Sequence, residues 1–286
     1  MKKYVFFCIF SFFIAAILGC RSAAFPFYID NKNNTMPYFE VPVCDNSGEV
    51  FSDETIRIGI DTGSPISFLY KSGIEFLFGS TEEYYSWCKS NNYETDNPEK
   101  YVYLNNVYLR FEKNAVSPVF RCCEKDENEF YDGIIGKDFL QNAKTVTFDF
   151  RKNVIFINAK KIKTNVLPLK NVEFSDENGH GEYLFIPAEI DGEIYDVMID
   201  TGACSEGIPA IAVAGNFPFG EEVSVKISNE IYEKVKTANM KNGDFDDKNL
   251  ETHYDSFFAN TIIISNAFFK NRRVQLDFER MEFSMD

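Results

Sequence analysis

Apolar and polar residues alternate with a period of two along much of this chain, and such alternation predicts strands. Ile56, Ile58 and Ile60 alternate with polar or small residues, as on the inner face of a strand. Helical spacing is rarer: one helix is expected near residues 81–91 and a second near 228–236. The prediction is therefore an all-β fold with few helices.

An internal repeat divides the chain into two halves. The segment DGIIGKDFLQNAKTVTFDF from residue 132 reads against NTIIISNAFFKNRRVQLDF from residue 260, with one residue dropped. The strands that open each half also correspond, YFEVPV from residue 38 and YLFIPA from residue 183. Each half contains a strand that ends in Asp-Thr-Gly and closes with a β pair, so two similar lobes are predicted.

The predicted organisation has five parts. They are a signal peptide with a lipid-attachment cysteine (1–20), a tether (21–36), an N-terminal lobe (37–158), an inter-lobe connector (159–181) and a C-terminal lobe (182–286). The connector is polar and contains Pro, Gly and basic residues. Within the tether, the run FPFY at 25–28 has two alternative interpretations, an edge strand or a self-cleavage site.

Residues 1–20, MKKYVFFCIFSFFIAAILGC, have the layout of a secretory signal. The apolar run at 4–18 is short for a membrane span, which needs about 20 residues. The ending ILGC resembles a bacterial lipoprotein box, which implies lipid attachment at Cys20; an ordinary signal peptide with a chance cysteine is the alternative. A membrane-anchored lipoprotein, periplasmic or at the cell surface, is expected. Arg21 offers no acidic inner-membrane retention signal, which favours the outer membrane.

Charge and composition argue against several classes of partner. The formal net charge is −15 at pH 7, and nucleic-acid binding depends on Lys and Arg, so no nucleic-acid partner is expected. The chain has 2 His and no CxxC or HxxxH spacing, so neither a metal nor a cofactor is expected. Hydrophobic residues make up 45% of the chain, which is enough for a substantial core.

The cysteines do not define a disulfide pattern. Beyond residue 20 they are Cys44, Cys88, Cys122, Cys123 and Cys204. An odd count outside the cytoplasm leaves at least one thiol without an internal partner. Adjacent Cys122 and Cys123 do not easily bond each other, so one of them can reach Cys44 or Cys88. The pairing itself cannot be read from the sequence.

Each half places a carboxylate at the end of a buried strand, Asp61 in RIGIDTGS and Asp200 in VMIDTGAC. An isolated charge in that position is costly unless it is paired or hydrogen-bonded. A pseudo-two-fold arrangement of the halves would bring the two aspartates together at the axis. The two Asp-Thr-Gly turns are therefore predicted to form one site.

The turn residues suit this arrangement. Gly63 and Gly202 permit a tight approach of the backbone, and their N–H groups can donate to the carboxylates. Thr62 and Thr201 can hydrogen-bond across the axis and lock the two loops.

With these motifs the chain resembles the aspartic proteases of the pepsin and retroviral-protease group. The resemblance depends on residues 61–64 and 200–203 and on the motif DGIIG at 132–136, and it covers nearly all of residues 36–286. It implies a single-chain, retropepsin-like acid-protease fold, with two pseudo-symmetric lobes and an active-site cleft between them. It also implies that Asp61 and Asp200 are catalytic. The supporting loop residues would be Thr62, Gly63, Ser64, Thr201 and Gly202.

The chemistry implied by the resemblance needs only the two carboxyls and water. Two carboxylates in contact cannot both ionise cheaply, so the pair holds a single proton, and the aspartic-protease dyad is the standard example of this effect. One carboxylate would activate a water molecule, while the protonated one would donate to the scissile carbonyl oxygen.

Two departures from the family pattern, at Ala203 and Ser265, bear on the site. Ser64 can donate its hydroxyl to Asp61, as in pepsin-like enzymes, whereas Ala203 cannot do so for Asp200. Losing a donor raises a carboxyl pKa, so a working pH less acidic than that of digestive pepsins is expected. Ser265 replaces the second motif glycine beneath Asp200.

The resemblance also implies a hairpin flap over an extended peptide substrate. This flap is expected between residues 91 and 106, where Tyr101 or Tyr103 is either its tip residue or an ordinary strand tyrosine. After the second turn, Cys204 is interpreted as a small core residue in preference to a reactive thiol. Glu206 is either a solvated loop residue, which is favoured, or a residue that contacts substrate.

Together these features predict a monomeric aspartic endopeptidase, tethered to a bacterial membrane through a lipid anchor, with peptide or protein substrates. The alternative is a catalytically silent peptide-binding lipoprotein with the same fold. A protein that only binds has little reason to keep both Asp-Thr-Gly turns, which favours the enzyme.

Overall fold

The structure, a computed structural model, describes residues 23–29, 36–44, 50–91, 102–104, 107–111, 114–116, 118–122, 130–176, 179–203, 208–213, 220–239 and 261–286. Strands dominate both halves. The first half contains β1 (Ala23–Pro26), β2 (Tyr38–Cys44), β3 (Val50–Ile60), β4 (Phe68–Leu69), β5 (Tyr103–Leu104), β6 (Tyr108–Phe111), β7 (Asn114–Val116), β8 (Phe120–Cys122), β9 (Gly133–Ile135), β10 (Thr145–Asp149) and β11 (Val154–Ile157). The second half contains β12 (Leu167–Pro168), β13 (Lys170–Asp176), β14 (Gly179–Ile190), β15 (Glu193–Asp200), β16 (Ala210–Val213), β17 (Glu222–Ile227), β18 (Glu230–Asn239), β19 (Ile262–Ser265), β20 (Arg273–Asp277) and β21 (Glu282–Met285).

Short helices accompany the strands: α1 (Lys71–Phe78), α2 (Thr81–Ser90), α3 (Lys137–Leu140) and a 3-10 helix (Asn266–Phe269). The helix predicted near residues 81–91 is confirmed as α2. Ser80 caps it by accepting a hydrogen bond from the Glu83 N–H at 3.1 Å, and Tyr84 and Cys88, four residues apart, form its buried face. Within the described part of the chain, no helix is long and apolar enough to cross a membrane.

The second helix prediction, near residues 228–236, is wrong. This segment forms β18, which pairs with β17 after a turn in which Ser228 has a φ of 56°. Ile231 and Val235 would share one face in a helix and in a regular strand alike, but a register shift in the pairing leaves Ile231 60% exposed and Val235 buried. Pairing with β17 therefore overrides the local helical spacing.

The N-terminal lobe is built on an eight-stranded sheet, in the order β5-β8-β4-β9-β3-β2-β6-β7. Strand β9 lies between β3, to which it is parallel, and β4, to which it is antiparallel. Ile56, Ile58 and Ile60 of β3 are all buried in the core, as their alternation predicts. Pairing within the sheet thus fixes the position of the end of β3 and of residue Asp61, which follows it.

The C-terminal lobe repeats this arrangement in a seven-stranded sheet, in the order β13-β14-β15-β19-β16-β18-β17. Strand β19 lies between β15, to which it is parallel, and β16, to which it is antiparallel. The predicted fold class is confirmed: the chain is all-β and bilobal, with two pseudo-symmetric lobes.

A six-stranded sheet, in the order β1-β11-β10-β20-β21-β12, joins the two halves. At its centre β10 and β20 are antiparallel, and the buried Gln275 donates from Nε2 to Thr147 Oγ1 at 2.8 Å. The chain after β11 crosses this sheet, since the Ile162 N–H donates to Gln275 Oε1 at 3.0 Å and Thr164 Oγ1 donates to Met285 O at 3.1 Å.

Part of the segment that the sequence analysis assigns to the connector belongs to the sheets. The predicted connector, 159–181, contains β12 and β13, and β13 pairs along its length with β14 of the C-terminal lobe. Val172 and Phe174 on β13 pack against a cluster that includes Phe185 and Met198. The region that links the lobes without belonging to a strand is therefore shorter than the sequence suggests.

The predicted tether is built into the fold from residue 23. Strand β1 pairs with β11 at one edge of the six-stranded sheet. This pairing agrees with the edge-strand interpretation of residues 25–28. Phe25 and Phe27 are buried, and the Phe27 ring meets Phe150 edge-on at 5.7 Å. Apolar side chains at alternate positions fix this segment to the six-stranded sheet.

Cys44, Cys88 and Cys122 are buried thiols, while Cys123 and Cys204 lie outside the described residues. The thiols of Cys88 and Cys122 lie beside the phenol of Tyr84. Burial, together with these thiols, raises the pKa of Tyr84 far above its ordinary value. Helix α2 and strand β8 are thereby packed against each other through polarizable side chains.

Replacement of Phe27 tests whether the segment before β2 belongs to the core. Phe27→Ala is expected to lower the free energy of unfolding by about 3–5 kcal/mol, because it leaves a cavity beside Phe150. Urea denaturation measures this change. The control is Tyr28→Ala, since the Tyr28 side chain is 51% exposed and its loss should cost about 1 kcal/mol or less. Equal effects from both changes would contradict the assignment.

Candidate active site

The two aspartates lie together between the lobes. Asp61 directly follows β3 and its N–H donates to Ile135 O at 2.9 Å, whereas Asp200 ends β15 opposite Ser265 of β19. Their carboxyl groups hydrogen-bond to each other, and both are partly accessible to solvent. Strand β9 in one lobe and strand β19 in the other thus hold the two aspartates at equivalent positions.

The threonines lock the two loops across the axis. The Thr62 N–H donates to Thr201 Oγ1, and the Thr201 N–H donates to Thr62 Oγ1, both at 3.0 Å. Each hydroxyl also donates to the opposite strand, Thr62 Oγ1 to Ile199 O at 2.9 Å and Thr201 Oγ1 to Ile60 O at 2.6 Å. All four bonds are buried and join one lobe to the other, so they set the spacing of the aspartates.

The glycines allow the loops to approach this closely. A Cβ placed on Gly63 would lie 2.3 Å from Cγ of Asp200, and one placed on Gly202 would lie 2.5 Å from Cγ of Asp61. Both N–H groups donate to the aspartate of their own loop, at 2.7 Å in each case. Any larger residue would push the two carboxyls apart.

The hydroxyl predicted beside Asp61 is turned away. Ser64 Oγ donates to Ile66 O at 2.7 Å, so the expected donation to Asp61 is wrong in this structure. The short bond inside the turn satisfies the hydroxyl locally, which is a common use of serine in tight turns. In the other loop, the Ala203 N–H donates to Asp200 Oδ1 at 2.9 Å.

Electrostatics distinguish the two carboxyls. Burial raises the pKa of both above the ordinary range, and the Asp61 charge adds to burial at Asp200, whose pKa rises well above that range. At Asp61 the hydrogen bond from Asp200 opposes the effect of burial. The two carboxyls therefore titrate as a pair that holds a single proton between them.

Serine replaces glycine beneath Asp200 without disturbing the fold. Ser265 is fully buried, and its Oγ accepts a hydrogen bond from the Ala267 N–H at 3.3 Å at the start of the 3-10 helix. In the N-terminal lobe a Cβ on Gly136 would lie 2.4 Å from Ile66 O. The C-terminal lobe therefore has space for a side chain beneath the Asp200 loop, whereas the N-terminal lobe has none at the matching position beneath the Asp61 loop.

Several predicted site features lie outside the described residues. Cys20, Tyr101, Cys204, Glu206 and most of the predicted flap are among them. Tyr103 is described: it lies in β5, which pairs with β8, and it is 50% exposed. In the part of the chain that the structure covers, no three His, Cys, Asp or Glu side chains group as metal ligands would.

One charged contact beside the site was missed by sequence reasoning. Lys137, the residue after the DGIIG motif, is 2% exposed and its Nζ lies 2.7 Å from Glu182 Oε2 in the other lobe. The sequence signal for this contact is a lysine that directly follows a mostly apolar motif.

Comparison with solved structures identifies chains of the same fold. Conglutin gamma, a basic 7S globulin from lupine seeds, matches with a TM-score of 0.51 over 93% of this chain and 94% of that one, at 10% identity. The protein edgp matches with a TM-score of 0.54 (92% and 94%, 10% identity), and basic 7S globulin from soybean with 0.50 (93% and 96%, 10% identity). No protein-family model and no curated protein sequence matches the chain.

These neighbours correct the identification made from the sequence. The chain was expected to be a retropepsin-like bacterial lipoprotein, and that identification is wrong. The matching structures, two basic 7S globulins and edgp, have a pepsin-like fold, and no protein-family model supports a bacterial lipoprotein. At 10% identity the likeness shows the fold alone.

The cross-lobe threonine bonds lead to a stability prediction. Thr62→Val is expected to lower the free energy of unfolding by about 2–4 kcal/mol, because the buried Thr201 N–H loses its acceptor. Urea denaturation measures the loss. Thr55→Val, at an exposed position of β3, the strand that leads into this turn, is the control and should change stability by about 0.5 kcal/mol or less. A Thr62→Val protein as stable as this control would rule out the interlock.

The raised pKa of Asp200 leads to a pH prediction. Folded protein retains a proton that the unfolded chain releases, so wild-type stability falls as the pH rises from the ordinary aspartate pKa towards the raised one. Asp200→Asn cannot ionise and should melt about 2 °C or more above wild type at neutral pH. Thermal unfolding between pH 4 and 8 checks this, and the gain should shrink towards pH 4.

Asp196→Asn is the matched control, because Asp196 is exposed on the same strand, β15. It should show no comparable gain at neutral pH. A gain for Asp200→Asn that is the same at every pH would mean that the pair does not share a proton.

Proposed function

We propose that this protein is an aspartic endopeptidase that hydrolyses peptide bonds with water activated by Asp61 and Asp200. One observation supports this most strongly: the two carboxyls hydrogen-bond to each other at the junction of two lobes, on loops that contact each other. A pair that holds one proton supplies a base and an acid in the same site.

In this mechanism the two carboxyls take different parts. Asp61, the ionised member, accepts a proton from a water molecule held between the carboxyls as the water oxygen attacks the scissile carbonyl carbon. Asp200 donates its proton to the carbonyl oxygen, which gives a neutral tetrahedral diol. Asp61, now protonated, then donates to the amide nitrogen while Asp200 accepts a proton from a diol hydroxyl. The C–N bond breaks to give a carboxylic acid and an amine, and the pair returns to its starting protonation state. The N–H groups of Gly63, Gly202 and Ala203 hold the carboxyls in place throughout.

The proposed substrate is an extended peptide bound between the lobes. Both aspartates lie at the carboxyl ends of strands, where the loops of the two lobes contact each other. A strand-like peptide would present its backbone to both loops at once, and its side chains would alternate between the lobes.

A second candidate is a protein that binds peptides without cleaving them. The observation that favours it is the naming of the structural neighbours: two are named as basic 7S globulins, and none of the three is named as a protease. Retention of both Asp-Thr-Gly loops, with their carboxyls in contact, favours the enzyme.

Cleavage of a mixed peptide library by the purified full-length protein, between about pH 3 and 7, tests the proposal. Asp61→Asn and Asp200→Asn are each expected to lower kcat by about 10²–10⁴-fold. Asp196→Asn serves as the control and should cleave like wild type. Peptides that bind the wild type but are never cut would establish the second candidate instead.

The same assay gives the pH optimum. Because the pKa values of both carboxyls are raised, activity should reach its maximum at a pH less acidic than that of digestive pepsins. An optimum below about pH 3, under the ordinary aspartate pKa, would contradict this expectation.

A further inference from the structure

Lys137 places a buried ammonium at the boundary between the lobes. Its side chain is 2% exposed, and its Nζ lies 2.7 Å from Oε2 of Glu182. Helix α3, which begins with Lys137, belongs to the N-terminal lobe, whereas Glu182 lies on β14 of the C-terminal lobe. Burying an ammonium costs several kcal/mol unless it is paired. The contact therefore has to be maintained whenever the lobes are docked.

The carboxylate of this pair is also fixed. Asn171 on β13 donates from Nδ2 to the same Oε2 of Glu182 at 2.9 Å. Since β13 and β14 are paired along their length, the two residues share one rigid hairpin. Glu182 thus presents a fixed acceptor to Lys137, although its own side chain is 46% exposed.

The other end of the pair holds the first catalytic loop. The Lys137 N–H donates to Ser64 O at 2.8 Å, and the Asp138 N–H donates to Pro65 O at 3.3 Å. Ser67 Oγ donates to Asp138 Oδ1 at 2.7 Å. The start of α3 therefore binds the residues that directly follow the Asp-Thr-Gly turn of Asp61.

The same loop touches the opposite lobe through Pro65. A Cβ placed on Gly181, the residue before Glu182, would lie 3.1 Å from Cγ of Pro65. The segment 64–65 is thus held between α3 on one side and β14 on the other. Lys137 and Glu182 connect those two sides directly.

The second catalytic loop lacks an equivalent charge at this position. Asn266 follows Ser265 as Lys137 follows Gly136, and it is buried as well. Its Nδ2 lies 3.5 Å from Thr201 O, within its own loop. Of the two matching residues, Lys137 and Asn266, Lys137 is the one that forms an ion pair with the opposite lobe.

We propose that Lys137 and Glu182 are positioning residues for Asp61. Their ion pair clamps the loop after Asp61 between α3 and β14, and so fixes where the Asp61 carboxylate stands against Asp200. This inference rests on the proposed function for its catalytic consequence. The two residues act through the loop and do not touch the reacting atoms.

Steady-state kinetics of Lys137→Met and Glu182→Gln test the proposal. Lys137→Met should lower kcat by about 10–100-fold and change KM by less than about threefold, because a displaced carboxylate impairs catalysis more than peptide binding. Glu182→Gln keeps the shape of the acceptor and should lower kcat by about 3–10-fold. The second variant decides the matter if Lys137→Met does not fold.

The matched control is the ion pair between Lys226 and Glu189, 3.0 Å long, which lies within the C-terminal lobe. Lys226→Met and Glu189→Gln should leave kcat and KM unchanged. The proposal is overturned if folded Lys137→Met and Glu182→Gln have wild-type kcat, or if KM rises while kcat stays constant.

Hydrogen exchange separates this proposal from the proposed function, because it needs no substrate. In Lys137→Met, the amides of residues 61–67 should exchange about tenfold faster or more, while those of β20 and β21 keep wild-type rates. If the wild type cleaves no peptide but exchange rises in this segment, the proposed function fails and the clamp stands. Unchanged exchange at 61–67 overturns the clamp whatever the activity.

Discussion

Contact between the carboxyls of Asp61 and Asp200 is the constraint on which the rest of the structure depends. Two like charges cannot be held together in a partly buried site unless one is neutralised and the other is surrounded by donors. The glycine N–H groups supply those donors, and the absence of a Cβ at the same glycines lets the loops meet. The threonine hydroxyls then join each loop to the strand of the opposite lobe. The bonds that dock the two lobes are therefore the same bonds that bring the two carboxyls into contact.

The repeat gives the two aspartates the same backbone but different surroundings. Asp61 accepts from the N–H groups of Gly63, Ser64 and Gly202, whereas Asp200 accepts from those of Gly202 and Ala203, and the Ser64 hydroxyl donates to Ile66 O instead of to Asp61. Burial and the facing Asp61 charge raise the pKa of Asp200 further than that of Asp61. A duplicated motif thus yields two chemically distinct carboxyls, as a mechanism with one acid and one base requires.

The parts of this structure that the sequence predicts are those governed by local pattern or by the internal repeat. Alternating isoleucines define β3, and the duplicated Asp-Thr-Gly turns lead to the contact of the carboxyls. The features that sequence reasoning missed depend on which of several available partners a residue takes in the fold. Residues 228–236 look helical until β17 pairs with them, and the Ser64 hydroxyl has two acceptors within reach, between which only the turn decides. Likewise, Lys137 gains its meaning from Glu182, 45 residues away.

The six-stranded sheet has a consequence for how the chain acquires its fold. Its central strands come from different halves, and β1, near residue 23, lies in the same sheet as β21, near residue 285. During synthesis, the edge of β10 that later pairs with β20 therefore stays uncovered until β20 has been made. Such distant pairing is slow and leaves an open strand edge in the meantime. The N-terminal lobe is thus most vulnerable to wrong partners before residues 273–285 have emerged from the ribosome, when β10 still lacks β20.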